Sequence, residues 1–330
     1  MKALVALGIV AALAAGLWLA AGVAALRPVL AVGLPYLAMA VFLVGMVARV
    51  VRWGRSPVPF RIPTVAGQQR SLPFLRHDPL DSPYTGWQAA ARVALEALLF
   101  RSLFRNTRAA FTRDRRLVDL PSKWLWLGAL AFHWSFLVVL IRHLRFFMEP
   151  VPRAVLLLER LDGLFQVAVP ALLVTDVVIA AALLYLLGRR LLDARLRYIS
   201  LPADYVPLFL LLGIVGSGIL MRYVDKVDLV AVKELALGLV TLSPVVPEGL
   251  GVPFVVHLGL VSALFLYFPF SKLVHMGGVF LSPTRNLAND SRARRHVNPW
   301  NRPVEVHTYE QWEEEFRDKL RAAGLPVEGE

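Results

Sequence analysis

This sequence predicts an all-α membrane protein, a bundle of six transmembrane helices, on three observations. Mean hydropathy is +0.58 over 330 residues, 57% of them hydrophobic, which is too apolar for an ordinary soluble domain of that length. Several apolar runs reach about 20 residues, the length needed to cross a bilayer core. Lys and Arg gather in alternate connecting segments, the bias that sets topology.

The first span is expected at 3–26. A single Lys2 precedes it and the apolar run is longer than a signal-peptide core, so it reads as a retained helix. A tight turn at Arg27-Pro28 leads into the second span, 29–51, making 1–51 an N-terminal transmembrane hairpin. Residues 52–123 read as a basic loop. Pro57, Pro59, Pro63, Pro73, Pro79 and Pro83 mark extended chain in its first half. Gly86 to Phe111 reads as an amphipathic helix, with Leu95, Leu98, Leu99 and Phe100 alternating with Arg92, Arg101, Arg105 and Arg108. Such a helix lies on the membrane surface or docks a partner. Spans three to six follow at 124–146, 163–187, 205–222 and 253–275, giving a core over 124–276 and a tail over 277–330. Gly213, Gly216 and Gly218 in the fifth span mark close helix packing. The tail ends in a helical pattern over Tyr309–Ala322 with Tyr309, Trp312 and Phe316 on one stripe. That pattern fits a helix packed on its own loop and a docking helix for a cytoplasmic subunit equally well.

Charge orients the bundle. Residues 49–123 hold 14 Lys and Arg against five carboxylates. The 188–200 loop carries Arg189, Arg190, Arg195 and Arg197 against Asp193, and the tail carries Arg285, Arg292, Arg294 and Arg295. The 147–162 and 223–252 loops are mixed. All basic segments fall on one side of a six-span arrangement, so that side and both termini are expected in the cytoplasm, with the protein multi-pass in the cytoplasmic (inner) membrane. The net charge of +12 is thereby explained by topology, and nucleic-acid binding is excluded.

There is no cysteine, which rules out disulfides, cysteine-ligated iron–sulfur clusters and thioether-linked haem in this chain. Of seven histidines, His77, His296 and His307 sit in polar segments. His133, His143, His257 and His275 lie in or at the ends of apolar spans, where an ionisable group points to function. The third and sixth spans run antiparallel, so His143 shares a level with His257, and His133 with His275. Two pairs at two depths are what two bis-histidine haems require, and neutral imidazole suits haem iron. Ten residues separate the first two histidines and eighteen the last two, a mismatch of roughly 12 Å on ideal helices. Pro269 is expected to kink or end the sixth span and absorb part of it. Four histidines at two depths do not make one tetrahedral zinc site. Asp162 and Asp176 are the only obvious carboxylates near the fourth span, which is poor support for a proton relay. Arg142 and Arg145 flank His143 and are candidate haem-propionate contacts.

The His spacings on two antiparallel spans resemble the gamma subunit of respiratory nitrate reductases. The segments IPTVAGQQRSLPF (62–74), LEALLFRSLFRNTR (95–108) and LSPTRNLANDSRARRHVNPWN (281–301) look like the DsrM family, membrane cytochromes b of DsrMKJOP complexes in dissimilatory sulfur metabolism. The resemblance covers most of residues 30–305. It implies a nitrate reductase gamma-like core with two haem b, His133 pairing with His275 and His143 with His257. It implies exchange of electrons between menaquinone or ubiquinone and a cytoplasmic DsrK-like iron–sulfur subunit resembling the catalytic subunit of heterodisulfide reductase. DsrJ, DsrO and DsrP would complete the complex, with DsrC as the soluble sulfur carrier. The chain is then an electron-transfer subunit of an oxidoreductase complex. A quinone site beside the outer haem would draw on Arg142, Arg153 and Arg160. Two other readings stand beside this one: a nitrate reductase-type quinol oxidase subunit, and a non-redox membrane anchor or transporter.

Overall fold

Helix follows helix along this chain because long apolar runs leave their backbone groups no partner but one another. The computed structural model describes residues 1–56, 67–111, 114, 116–163, 171–281, 285–291, 293–294 and 306–328. The expected loop prolines Pro57, Pro59 and Pro63, and His296, lie outside the described residues.

The N-terminal hairpin is α1 (Lys2–Ala21) and α2 (Leu34–Arg55). The turn begins earlier than expected. α1 stops at Ala21, and a 3-10 turn (Ala24–Leu26) and a π turn (Val29–Gly33) run into α2, giving helical chain over Ala24–Arg55. α1 packs on α9 (Pro202–Tyr223) and α11 (Val252–Tyr267), which are placed below.

The basic loop is more structured than its sequence suggests. α3 (Gly86–Leu99) starts in a capping box, with Thr85 Oγ1 accepting from the Gln88 N–H at 3.3 Å and Gln88 Oε1 accepting from the Thr85 N–H at 3.3 Å. The expected helix to Phe111 is not continuous. Phe100 takes a left-handed conformation (φ 50°, ψ 48°) that ends α3, a single turn α4 (Arg101–Phe104) follows, and β1 (Thr107–Phe111) pairs antiparallel with β2 (Leu117–Pro121). β-branching and alternation over 107–121 are weak signals, so the hairpin was not legible beside the arginine periodicity.

The core is α5 (Lys123–Phe147), α6 (Arg153–Asp162), α7 (Val174–Leu192), α8 (Ala194–Ile199), α9, α10 (Leu229–Val240), α11 and α12 (His275–Leu281). α5 rests on α7, α7 on α9, α9 on α11, and α2 closes over the other side of α11. α6 and α10 occupy segments expected to be loops. α10 begins where Asp228 accepts from the Val230 and Ala231 N–H groups, and it buries Ala231, Val232 and Leu235 against Ala31 and Leu250. After a segment outside the described residues, α13 (Tyr309–Ala322) covers the helix expected in the tail.

Among the described residues, five helical stretches are long and apolar enough to cross a membrane: Lys2–Ala21, Ala24–Arg55, Lys123–Phe147, Pro202–Tyr223 and Val252–Phe270. The fourth expected span, 163–187, is represented by α7, which carries Asp176, Arg189 and Arg190, and its residues 164–170 lie outside the described residues.

Candidate functional site

The four span histidines divide between the two ends of the bundle, two at each. At one end of the bundle the rings of His133 (α5) and His275 (start of α12) lie 6.0 Å apart, centroid to centroid, at 75°. At the other, His257 (first turns of α11) is within electrostatic reach of His143 (last turns of α5). Phe146, Phe254 and Leu258, neighbours of that second pair, share one apolar cluster. Phe132 and Phe136 of α5 share another with Leu264 of α11, toward the first pair.

The length mismatch is resolved by a break. α11 tightens to a 3-10 turn at Phe268–Phe270, Ser271 is extended (φ −113°, ψ 179°), and a second 3-10 turn at Lys272–Val274 delivers His275. Pro269 ends the helix because its ring excludes the preceding turn and it lacks an N–H. Gly45 of α2 makes room for this turn: a Cβ there would lie 2.6 Å from the Pro269 Cβ.

Three of the rings are anchored to a backbone carbonyl and the fourth to a hydroxyl. Nδ1 of His133 faces the Ala129 carbonyl at 2.8 Å, that of His143 the Val139 carbonyl at 2.7 Å, and that of His275 the Lys272 carbonyl at 2.8 Å. A carbonyl only accepts, so Nδ1 carries the proton in all three. Nδ1 of His257 faces Ser217 Oγ at 2.9 Å, and that hydroxyl donates to the Ile214 carbonyl at 2.9 Å, so its oxygen is left to accept from His257. All four rings therefore leave Nε2 unprotonated, and no described residue hydrogen-bonds it. Metal-ligating histidines are held in this way, the distal N–H fixing tautomer and orientation.

The His133–His275 spacing fits a shared metal ion. Ligand nitrogens about 2 Å from a metal, each about 1 Å from its ring centre, set two rings roughly 6 Å apart. Among the described residues no three His, Asp or Glu side chains converge on one point, so two-ligand pairs are the available geometry. The surroundings are apolar and aromatic. Phe100 and Phe132 each place their rings 4.9 Å from that of His133, and Phe146 lies 6.0 Å from His143. Phe100 is held there by indole donors on α5: Trp134 donates to the Leu98 carbonyl at 3.0 Å and Trp126 to the Leu99 carbonyl at 2.7 Å.

The arginines near His143 are engaged by carboxylates. Arg142 pairs with Asp162, donates to Thr175 Oγ1 at 2.7 Å and lies 3.7 Å from Asp176, which also accepts from the Tyr223 hydroxyl at 2.9 Å. Arg145 pairs with Glu159. These contacts tie α5, α6, α7 and α9 together around the His143 end. Arg153 and Arg160 stand exposed on α6. Sequence reasoning missed Ser217, Thr175, Tyr223 and Phe100. Ser217 lies among Gly213, Gly216 and Gly218, where a Cβ on Gly218 would sit 3.5 Å from His257 Cε1, so the small-residue run was the available signal.

Comparison with known proteins places the chain. The family model of the nitrate reductase gamma subunit matches residues 85–293. An "Hdr-like menaquinol oxidoreductase cytochrome b-like subunit" from Archaeoglobus fulgidus is 48% identical over 279 residues, 82% of this chain and 83% of that protein. A protein of the same description from Archaeoglobus profundus is 49% identical over 275 residues, 81% of each.

Proposed function

This chain belongs to the nitrate reductase gamma subunit family, and from that premise we propose that it is a dihaem cytochrome b subunit linking the quinone pool to a soluble iron–sulfur partner. The observation that carries the reading is the set of four imidazoles with Nδ1 committed and Nε2 free, in two cross-helix pairs. His133 with His275 would hold one haem b, and His143 with His257 the other. Bound there, the two haems supply one-electron steps at two depths of the bilayer. The chain's own residues orient the ligands and keep the pockets apolar. Phe100 and Phe132 set aromatic rings against His133, and Phe146 sets one against His143.

We assign six spans, counting α7 with the five long apolar helices, and both termini to the cytoplasm, which follows from the basic loops. The His143 level then faces outward. A quinol site there would use Arg153 and Arg160, exposed on α6, with Arg142 held by its carboxylate network. The name of the two relatives favours menaquinol as the substrate. It also names them Hdr-like, which accords with a DsrK-like partner in a DsrM-type complex with DsrJ, DsrO and DsrP. The basic segment around α3 and the α13 tail are the proposed docking surfaces.

The test is haem content. Protein purified in mild detergent is expected to hold two b haems by reduced-minus-oxidised spectrum, with one lost in His133→Ala and one in His143→Ala. Absence of haem, or haem content indifferent to both changes, would leave the anchor or transporter reading standing. Charge-removing variants of Arg142, Arg153 and Arg160 that leave quinol-dependent haem reduction intact would remove them from the quinol site.

A further inference from the structure

One face of α2 runs alongside the segment that presents His275. Phe42 packs edge-on against Phe265 and Phe268 at 5.0 and 5.4 Å. Gly45 abuts Pro269, the Met46 methyl lies 3.4 Å from the Cβ position of Gly277, and the Trp53 indole lies 3.8 Å from that of Gly278. Positions 42, 45, 46, 49 and 53 repeat at helical spacing, so Arg49 belongs to this face, one turn beyond Gly45 and one turn before Trp53. It therefore flanks the Lys272–Gly278 stretch. Its Nε is buried without a hydrogen-bond partner, and no described carboxylate pairs with it. Arg52 and Arg55, in the last turn of the same helix, are exposed.

A guanidinium on the packed face of an apolar span is costly without a counter-charge. Arg is also the side chain best suited to a carboxylate, which it grips with two parallel N–H donors. Resting on the haem reading above, we propose that Arg49 is the counter-charge for the carboxylate groups of the haem held by His133 and His275. The N-terminal hairpin, which lies outside the family-matched segment 85–293, thereby completes that site. Arg49 brings a guanidinium with no described carboxylate partner beside the His275 segment, and the group expected between His133 and His275 carries two carboxylates. An anionic lipid headgroup offers the same chemistry, and the experiment separates the two.

The experiment is a redox titration of both haems in the purified holoprotein, followed optically and by electron paramagnetic resonance. His133→Ala and His143→Ala assign the two signals. Arg49→Gln removes the cation, as does Arg49→Met, whose apolar side chain suits a span and guards against loss of folding. A nearby cation favours the reduced, more negative form of the haem, so both variants are expected to lower the potential of the His133/His275 haem alone and weaken its retention. Arg49→Lys should keep most of the wild-type value, and Arg52→Gln and Arg55→Gln all of it. Wild-type potentials for both haems in Arg49→Gln or Arg49→Met, as a lipid partner would give, would overturn the proposal, as would equal shifts of both. A wild-type protein without haem would instead defeat the haem reading itself.

Discussion

Asp81 anchors the elbow that covers His133, and replacing it with Asn should loosen that cover measurably. Its carboxylate is almost completely buried and pairs with both Arg101 and Arg105, one on each side of the α4 turn. The Arg101 guanidinium is the chief cause of holding the carboxyl at about 2, against an ordinary 3.8. At 1.36 kcal/mol per unit this is about 2 kcal/mol of preference for the ionised, folded form. Arg101 is correspondingly held above its ordinary value, which is the same interaction seen from its partner. Arg105 is half exposed, which places the realised figure toward the lower end. Because the folded value is depressed, the stabilisation is complete above pH 3.8 and is lost as pH falls through about 2. At neutral pH, Asp81→Asn should therefore raise local opening of α3 and α4 by up to about 30-fold, the equivalent of 2 kcal/mol. Amide hydrogen exchange in detergent reads this directly. Protection of α3 and α4 equal to wild type in Asp81→Asn at pH 7 would refute the reasoning.

Two further predictions concern the bundle. Ser217→Ala leaves His257 Nδ1 without its acceptor and should loosen that ring, with a loss or spectral shift confined to the haem proposed for His143 and His257; Ser217→Thr should behave as wild type in the same spectra. Gly128→Ala would set a Cβ 2.5 Å from the Tyr185 ring at the α5–α7 contact, so a cost of about 1–3 kcal/mol is expected as a lower melting temperature. Gly16→Ala, where nothing lies within 4 Å, should not lower it.

Hydropathy, five of the six expected long apolar runs and the positions of the four histidines were readable in the chain alone, because each is a property of neighbouring residues or of simple helical spacing. The pairing of His133 with His275 was readable too, since antiparallel spans permit only one assignment of levels. Pro269 announced its break for the same local reason. Tertiary structure alone decided what holds the His257 ring: Ser217 reaches it across forty residues of sequence, and no periodicity records it. It also decided that Arg142 and Arg145 are neutralised by Asp162 and Glu159, and that the loop around Leu229–Val240 is a buried helix. Arg49 reads in sequence as one more basic residue at the end of a span. Only the approach of α2 to the Pro269 turn, permitted by the absent side chain of Gly45, puts its face of α2 against the segment that carries His275. Local pattern sets which segments are helices, and the faces they present are chosen by close contacts between residues far apart in the chain.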